Sequence, residues 1–278
     1  MRAFLNFCEG YRTIISKGQL KESSVEVPTP HARFVSKERP LTSIVIGWPI
    51  PVILSVVAGY VDSCTYLGLF GVFVAQLTGS LVIAGTAFVR SGAGALAKIL
   101  AIPSFFFAGM AVTVLVHSIK GRPRAALAWS LAAECILLLG LLASCLVGMP
   151  FRNLATPSAI VALLFGMAAM GAQSAMARLL MRGVASTNVM TTNTTLLAIN
   201  VTEMLLGWIE RNKADPLGTS KAGYAKARSE IAALLPIWLG FLAGIALGAI
   251  AYVTLGLPCI LLAILPIAGL ALWYIRPA

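Results

Sequence analysis

The sequence predicts an all-α integral membrane protein: two homologous repeats, with six spanning helices plus two re-entrant or broken helices carrying Thr/Gly/Asn motifs. Three observations predict it. Of the 278 residues 59% are apolar and only 11% charged, far from the roughly 45–50% and ~25% of soluble domains. Eight apolar segments follow one another from residue 41 onward. Two of these segments open on polar clusters, "QLTGS" at 76–80 and "TNVMTTNTT" at 187–195.

The N-terminal stretch, residues 1–40, carries Arg2, Arg12, Lys17, Lys21, Arg33, Lys37 and Arg39 and has loop composition in "EVPTPHARFVSKERP". It reads as a basic, cytoplasmic, largely disordered tail. The alternative is a short interfacial helix with Phe4, Leu5, Phe7, Tyr11, Ile14 and Ile15 on one face. The opening "MRAFLNFCEGYRTIISKG" lacks the apolar core and cleavage site of a signal peptide, so the first span is expected to act as its own insertion signal.

The membrane domain, 41–278, holds apolar segments at 44–69, 72–89, 95–118, 126–148, 157–180, 187–208, 232–254 and 258–275. Six offer the ~20 residues a bilayer requires. The second and sixth carry the polar interruptions. "FFAGMAVTVLVHSIKGRP" (106–123) matches "FLAGIALGAIAYVTLGLP" (241–258) at Phe, Ala-Gly and a terminal Gly-x-Pro with one constant offset. Upstream, residues 61–80 align with 172–193 if two residues are inserted, which sets Asp62 opposite Gln173 and Thr78 opposite Thr191. Repeat 1 spans about 44–148 and repeat 2 about 157–275, the second with an added cytoplasmic loop at 209–230.

A net charge of +11 would suggest a nucleic-acid partner in a soluble protein. Here the basic residues flank apolar runs, as the positive-inside rule requires, so the bilayer is the expected partner and nucleic acid is not. If all eight segments cross, Lys120, Arg122, Arg124, Arg178 and Arg182 lie outside; if the second and sixth turn back, only Arg90, Lys98 and Arg152 do. The bias favours re-entrant segments. In the first, Val72 to Leu77 extended reaches ~20 Å and Leu81 to Arg90 as helix returns ~15 Å. A polar stretch such as Ser186–Thr195 must be buried in protein or line a wet cavity. Three full spans per repeat is an odd number, so the copies insert with opposite orientation.

Thr78, Gly79 and Ser80 in one motif, and Thr191, Thr192 and Asn193 in the other, stand where a helix begins; Gln76 and Asn188 lie just upstream. Ser, Thr and Asn cap helix N-termini, and Gly tolerates the unusual backbone of a break. Two such N-termini meeting near the midplane would form an anion or polar-solute site. The competing reading is that the hydroxyls and amides only hold the two halves together. Asp62, Glu134 and Glu203 are the acids within apolar segments, where an ionisable group is a functional hypothesis. Asp62, paired by repeat with neutral Gln173, could carry a proton or cap local backbone. Glu134, opposite Gly269, reads as a protonated, hydrogen-bonded residue, and Glu203 carries little weight. Arg178 and Arg182 share a helical face and read as snorkelling toward phosphates, or as attracting substrate. Gly240, Gly244 and Gly248 permit close helix packing, within one chain or in a homo-oligomer.

"GYVDSCTYLGLFGVFVAQLTGSLVIAG" and "GAQSAMARLLMRGVASTNVMTTNTTLLAI" resemble the two signature blocks of the YoaK-like family of bacterial inner-membrane proteins. The resemblance covers about 43–275 and implies a polytopic inner-membrane protein without a settled activity. Gln76, Leu77, Ser80 and Thr192 depart from the pattern, which has Asn, Met, Asn and Gly at those places.

Five cysteines without a CxxC pair and two histidines support neither a disulfide framework nor a metal site, and no cofactor is expected. HExxH and GxSxG are absent, so an enzyme is not expected. The sequence points to an inner-membrane transporter or channel-like permease for a small anion or polar solute, N-terminus cytoplasmic. The alternative is a non-catalytic membrane scaffold or regulator.

Overall fold

A computed structural model of the chain describes residues 49–90, 95–119, 121–181, 184–187, 190–210 and 219–276. The expectations for the basic tail, for Lys120, Arg182 and Asn188, and for the 211–218 part of the loop lie outside these residues. The described chain is helical: α1 Pro49–Gly68, α2 Leu77–Arg90, α3 Ala95–Ser118, α4 Pro123–Gly148, α5 Pro157–Leu180, α6 Met190–Glu210, α7 Thr219–Leu255 and α8 Ile260–Ile275. Six are long and apolar enough to cross a membrane, namely α1, α3, α4, α5, α7 and the stretch Leu257–Ile275. The other two, α2 and α6, are the segments with polar openings. The chain is a multi-pass, all-α membrane protein.

Local chemistry sets the helix starts. Proline, whose missing N–H costs nothing in a first turn, opens α1 (Pro49, Pro51), α4 (Pro123) and α5 (Pro157). Gly121 (φ 75°) and Gly256 (φ 67°) take left-handed conformations, each two residues before a proline. These are the two Gly-x-Pro positions that the sequence alignment puts opposite one another.

The 209–230 stretch departs from expectation, because α6 runs to Glu210 and α7 begins at Thr219, inside the expected loop. "SKAGYAKARSEIAALL" is rich in good helix formers, and Lys226 lies 4.0 Å from Glu230 at i,i+4 spacing. Helical propensity there overrides the polarity that suggests a loop.

Two helices form the centre. In α1 and α5, 67% of the apolar window is buried, against 17–33% in the other spans. Both are built from small residues that let neighbours approach. Gly240 packs on Val52, Gly244 on Val56 and Gly248 on Tyr60, a rising register that makes α7 parallel to α1. Likewise Gly171 meets Phe105 while Ala175 meets Gly109, so α5 is parallel to α3.

Other contacts run the opposite way. Arg124 at the start of α4 lies over the ring of Tyr274 at the end of α8, while Cys145 near the end of α4 neighbours Cys259 just before α8. Helices α4 and α8 are therefore antiparallel. On α1 and α5, Leu54 bonds to Gln173, whereas Asp62 is tied through Val74 to Gly166; these too are antiparallel. Eight complete crossings would make both pairs parallel. One segment between the members of each pair must turn back, and α2 and α6 are the two that lack the character of a span.

Candidate functional site

The first break follows α1. Phe70 (φ 57°) and Gly71 (φ 77°) adopt left-handed conformations, and Gly71 N–H donates to the Tyr66 carbonyl at 2.9 Å. The chain then doubles back beside α1. Asp62 Oδ1 accepts from Val74 N–H at 2.7 Å and Ala75 N–H at 2.8 Å, so the returning strand lies level with the middle of α1. Asp62 is 2% exposed, and these bonds give it the capping role. Tyr66 and Phe73 stack at 4.7 Å between centroids.

Reversal is completed by Ser80. Its Oγ donates to the Phe73 carbonyl. Continued in one direction, three extended and four helical residues would separate those positions by about 16 Å. Gln76, half-buried, supplies the carbonyl that accepts from Ser80 N–H at 3.1 Å. Thr78 is exposed and Gly79, half-buried, sits beside the Phe73 ring.

The second break repeats the arrangement. Asn193 Nδ2 donates to the Ser186 carbonyl at 2.6 Å. By the alignment that sets Thr78 opposite Thr191, Ser80 falls opposite Asn193 and Phe73 opposite Ser186. The same seven-residue link is made, once with a hydroxyl and once with an amide. Gln173 Nε2 donates to the Leu54 carbonyl at 2.9 Å and reaches Thr187 Oγ1 at 3.3 Å; Thr187 falls opposite Val74, the residue that Asp62 holds.

Each break is pinned to the other half. Ser55 Oγ on α1 donates to the Ile237 carbonyl at 2.7 Å and lies 3.4 Å from the Thr187 carbonyl. Val74 packs on Gly166 of α5, within 3.1 Å of where a methyl group there would stand. Gly166 falls opposite Ser55 by the alignment that pairs Asp62 with Gln173. Ser55 and Thr187 tie the breaks to α1 and are absent from the candidate residues the sequence offered, and that alignment was the signal that could have found them.

One expectation is corrected. Helices α2 and α6 do not pack on one another; the breaks are joined through α1 and α5, about 11 Å apart along them by helical rise. Within the polar stretch Thr187 and Asn193 are buried, whereas Thr191 and Thr192 are exposed, as are Thr194 and Thr195. The last two are satisfied locally: Thr194 donates to Met190 O at 2.8 Å and Thr195 to Thr191 O at 3.0 Å, and Trp238 Nε1 donates to Thr194 at 2.9 Å. Hydroxyls that bond back to their own helix tolerate an exposed position.

The breaks differ in charge. A carboxylate occupies the N–H groups of the first, a neutral amide holds the second. Glu134 is wholly buried on α4 and, among the described residues, neither carboxyl oxygen has a hydrogen-bond partner, where a bonded one was expected. Glu203 is exposed on α6. Among the described residues no group of three or more His, Cys, Asp or Glu could hold a metal.

The sequence model of a family described as a protein of unknown function, DUF1275, matches residues 50–273. No curated protein and no solved structure matches the chain.

Proposed function

For this chain, which belongs to the DUF1275 family of proteins of unknown function, we propose a non-enzymatic permease of the bacterial inner membrane, built as an inverted repeat and passing a small anion or polar solute. The YoaK-like resemblance of its two motif blocks falls within the matched residues. One observation carries the reading: two chain reversals, each closed by a side chain that bonds seven residues upstream, stand in halves whose matched helices α1 with α5 and α4 with α8 run antiparallel. Paired Gly-x-Pro turns with left-handed glycines support the repeat. So does the packing, in which α1 with α7 mirrors α5 with α3, and α2 with α3 mirrors α6 with α7.

Discontinuous helices at corresponding places of inverted halves are where transporters bind solute, because first-turn N–H groups have no partner within the helix. The solute site is the second break, with Gln173, Thr187 and Asn193, where no carboxylate competes among the described residues. The N-terminus is cytoplasmic, which keeps Arg122, Arg124, Arg178 and Arg276 on the inner side.

The test is flux. Purified protein in liposomes should pass nitrate, formate or glycerol, followed by light scattering after an osmotic step, faster than protein-free liposomes. Asn193→Ala should abolish the difference. Equal rates with and without protein across such a panel would sink the permease reading and leave the scaffold.

A further inference from the structure

Beside α2, between α3 and α5, runs an open groove of about 840 Å³. Its walls are carbon: Phe106 and Phe107 are each 63% exposed, and Met110 and Ala175 continue the surface. Leu77, the first residue of α2, lines it too, and among the described residues Arg178 is its one charged lining residue. Along α3 the groove extends from Ile102 to Val114, about 18 Å of helix. One leaflet of hydrocarbon is about 15 Å thick, half of a ~30 Å core.

We propose that this groove binds one acyl chain of an anionic phospholipid, with the phosphate held by Arg178. Length matches a single leaflet. Charge is complementary, since Arg178 is exposed and makes no ion pair among the described residues. Its position near the end of α5 is also that of a headgroup: Leu179 and Leu180 line one small cavity with Ile119 and Gly121 there, and Arg122 and the first turn of α4, with Arg124, follow directly. Basic pockets between membrane helices on one side of a bilayer select anionic headgroups in this way. Arg178 adds a planar fork suited to a phosphate. The inference needs no transported solute and stands or falls apart from the permease reading.

Native mass spectrometry tests it. Delipidated protein is offered phosphatidylglycerol or phosphatidylcholine of equal chain length, and retained lipid is counted. The expected result is one tightly held phosphatidylglycerol per chain, preferred about fivefold or more over phosphatidylcholine, the ratio that one basic residue near the headgroups supplies. Arg178→Gln should abolish the preference, Arg178→Lys should retain part of it, and Met110→Trp, which narrows the groove, should weaken retention of both lipids. Melting temperatures in the same detergent control for folding. Equal retention of the two lipids by the unaltered chain, or a preference unchanged in Arg178→Gln, overturns the proposal.

Discussion

The guanidinium of Arg124 lies 5.7 Å from the centre of the Tyr274 ring, which joins the first turn of α4 to the last turn of α8. With Cys145 beside Cys259 at the other end, the two helices run head to tail. With the cytoplasmic N-terminus proposed above, that relationship sets the sidedness of the connections. Single cysteines on a Cys-free background should therefore respond oppositely to an impermeant thiol reagent in intact cells. Ala155→Cys, between α4 and α5, should label from outside, and Ser118→Cys, at the end of α3, only after the membrane is opened. The reverse pattern would mean either eight crossings or an N-terminus on the outer side.

Much of this was legible in the sequence because length, apolarity and the Gly-x-Pro repeat are local signals. The six long apolar helices and the two odd segments follow from them. What the sequence could not give is which groups meet. Asp62 and Val74 are twelve positions apart, and only the left-handed turn at Phe70 and Gly71 brings the Val74 N–H back to the carboxylate. The α7 extension was missed because its polarity resembles a loop when helical propensity is not summed. Which of the threonines are exposed was not legible, because polarity alone does not tell which face of α6 packs on α7.

Ser80 and Asn193 make equivalent links, so they should respond alike. Ser80→Ala and Asn193→Ala each remove one buried hydrogen bond and leave a carbonyl without it, a loss of about 1–2 kcal/mol. Thermal unfolding in detergent should show a lowered midpoint for both. Ser80→Asn should be tolerated, since the second break already uses that side chain for the same seven-residue link. A midpoint for Ser80→Ala equal to that of the unaltered chain would show that the hydroxyl bond does not hold the reversal.

Glycine substitutions should separate by sign. A methyl on Gly244 would meet the Val56 carbonyl and stand 3.0 Å from Tyr60 N, so Gly244→Ala must push α7 off α1 and lower the unfolding midpoint. Gly85, in α2, has nothing within 4 Å of a methyl. There alanine gains the helix propensity difference, about 0.8–1.0 kcal/mol, and the midpoint should hold or rise. Equal effects at the two positions would argue against the α1 to α7 packing.

Asp62 distinguishes a cap from a proton carrier. Its Oδ1 accepts two backbone N–H groups, and removing the side chain leaves both without an acceptor, at about 1–3 kcal/mol each. Against a total stability of about 5–15 kcal/mol, Asp62→Ala should reduce the folded yield sharply. Asp62→Asn keeps an acceptor oxygen in the same place and should fold. At the matched position in the other half, Gln173 holds its break through an uncharged amide, which argues that the task needs a hydrogen-bonding group and not a charge. Liposome flux by Asp62→Asn should accordingly stay within about twofold of the unaltered chain, a barrier difference below ~0.5 kcal/mol. A variant that folds with an unchanged melting profile but passes no solute would give the carboxylate a role in transport that capping does not explain.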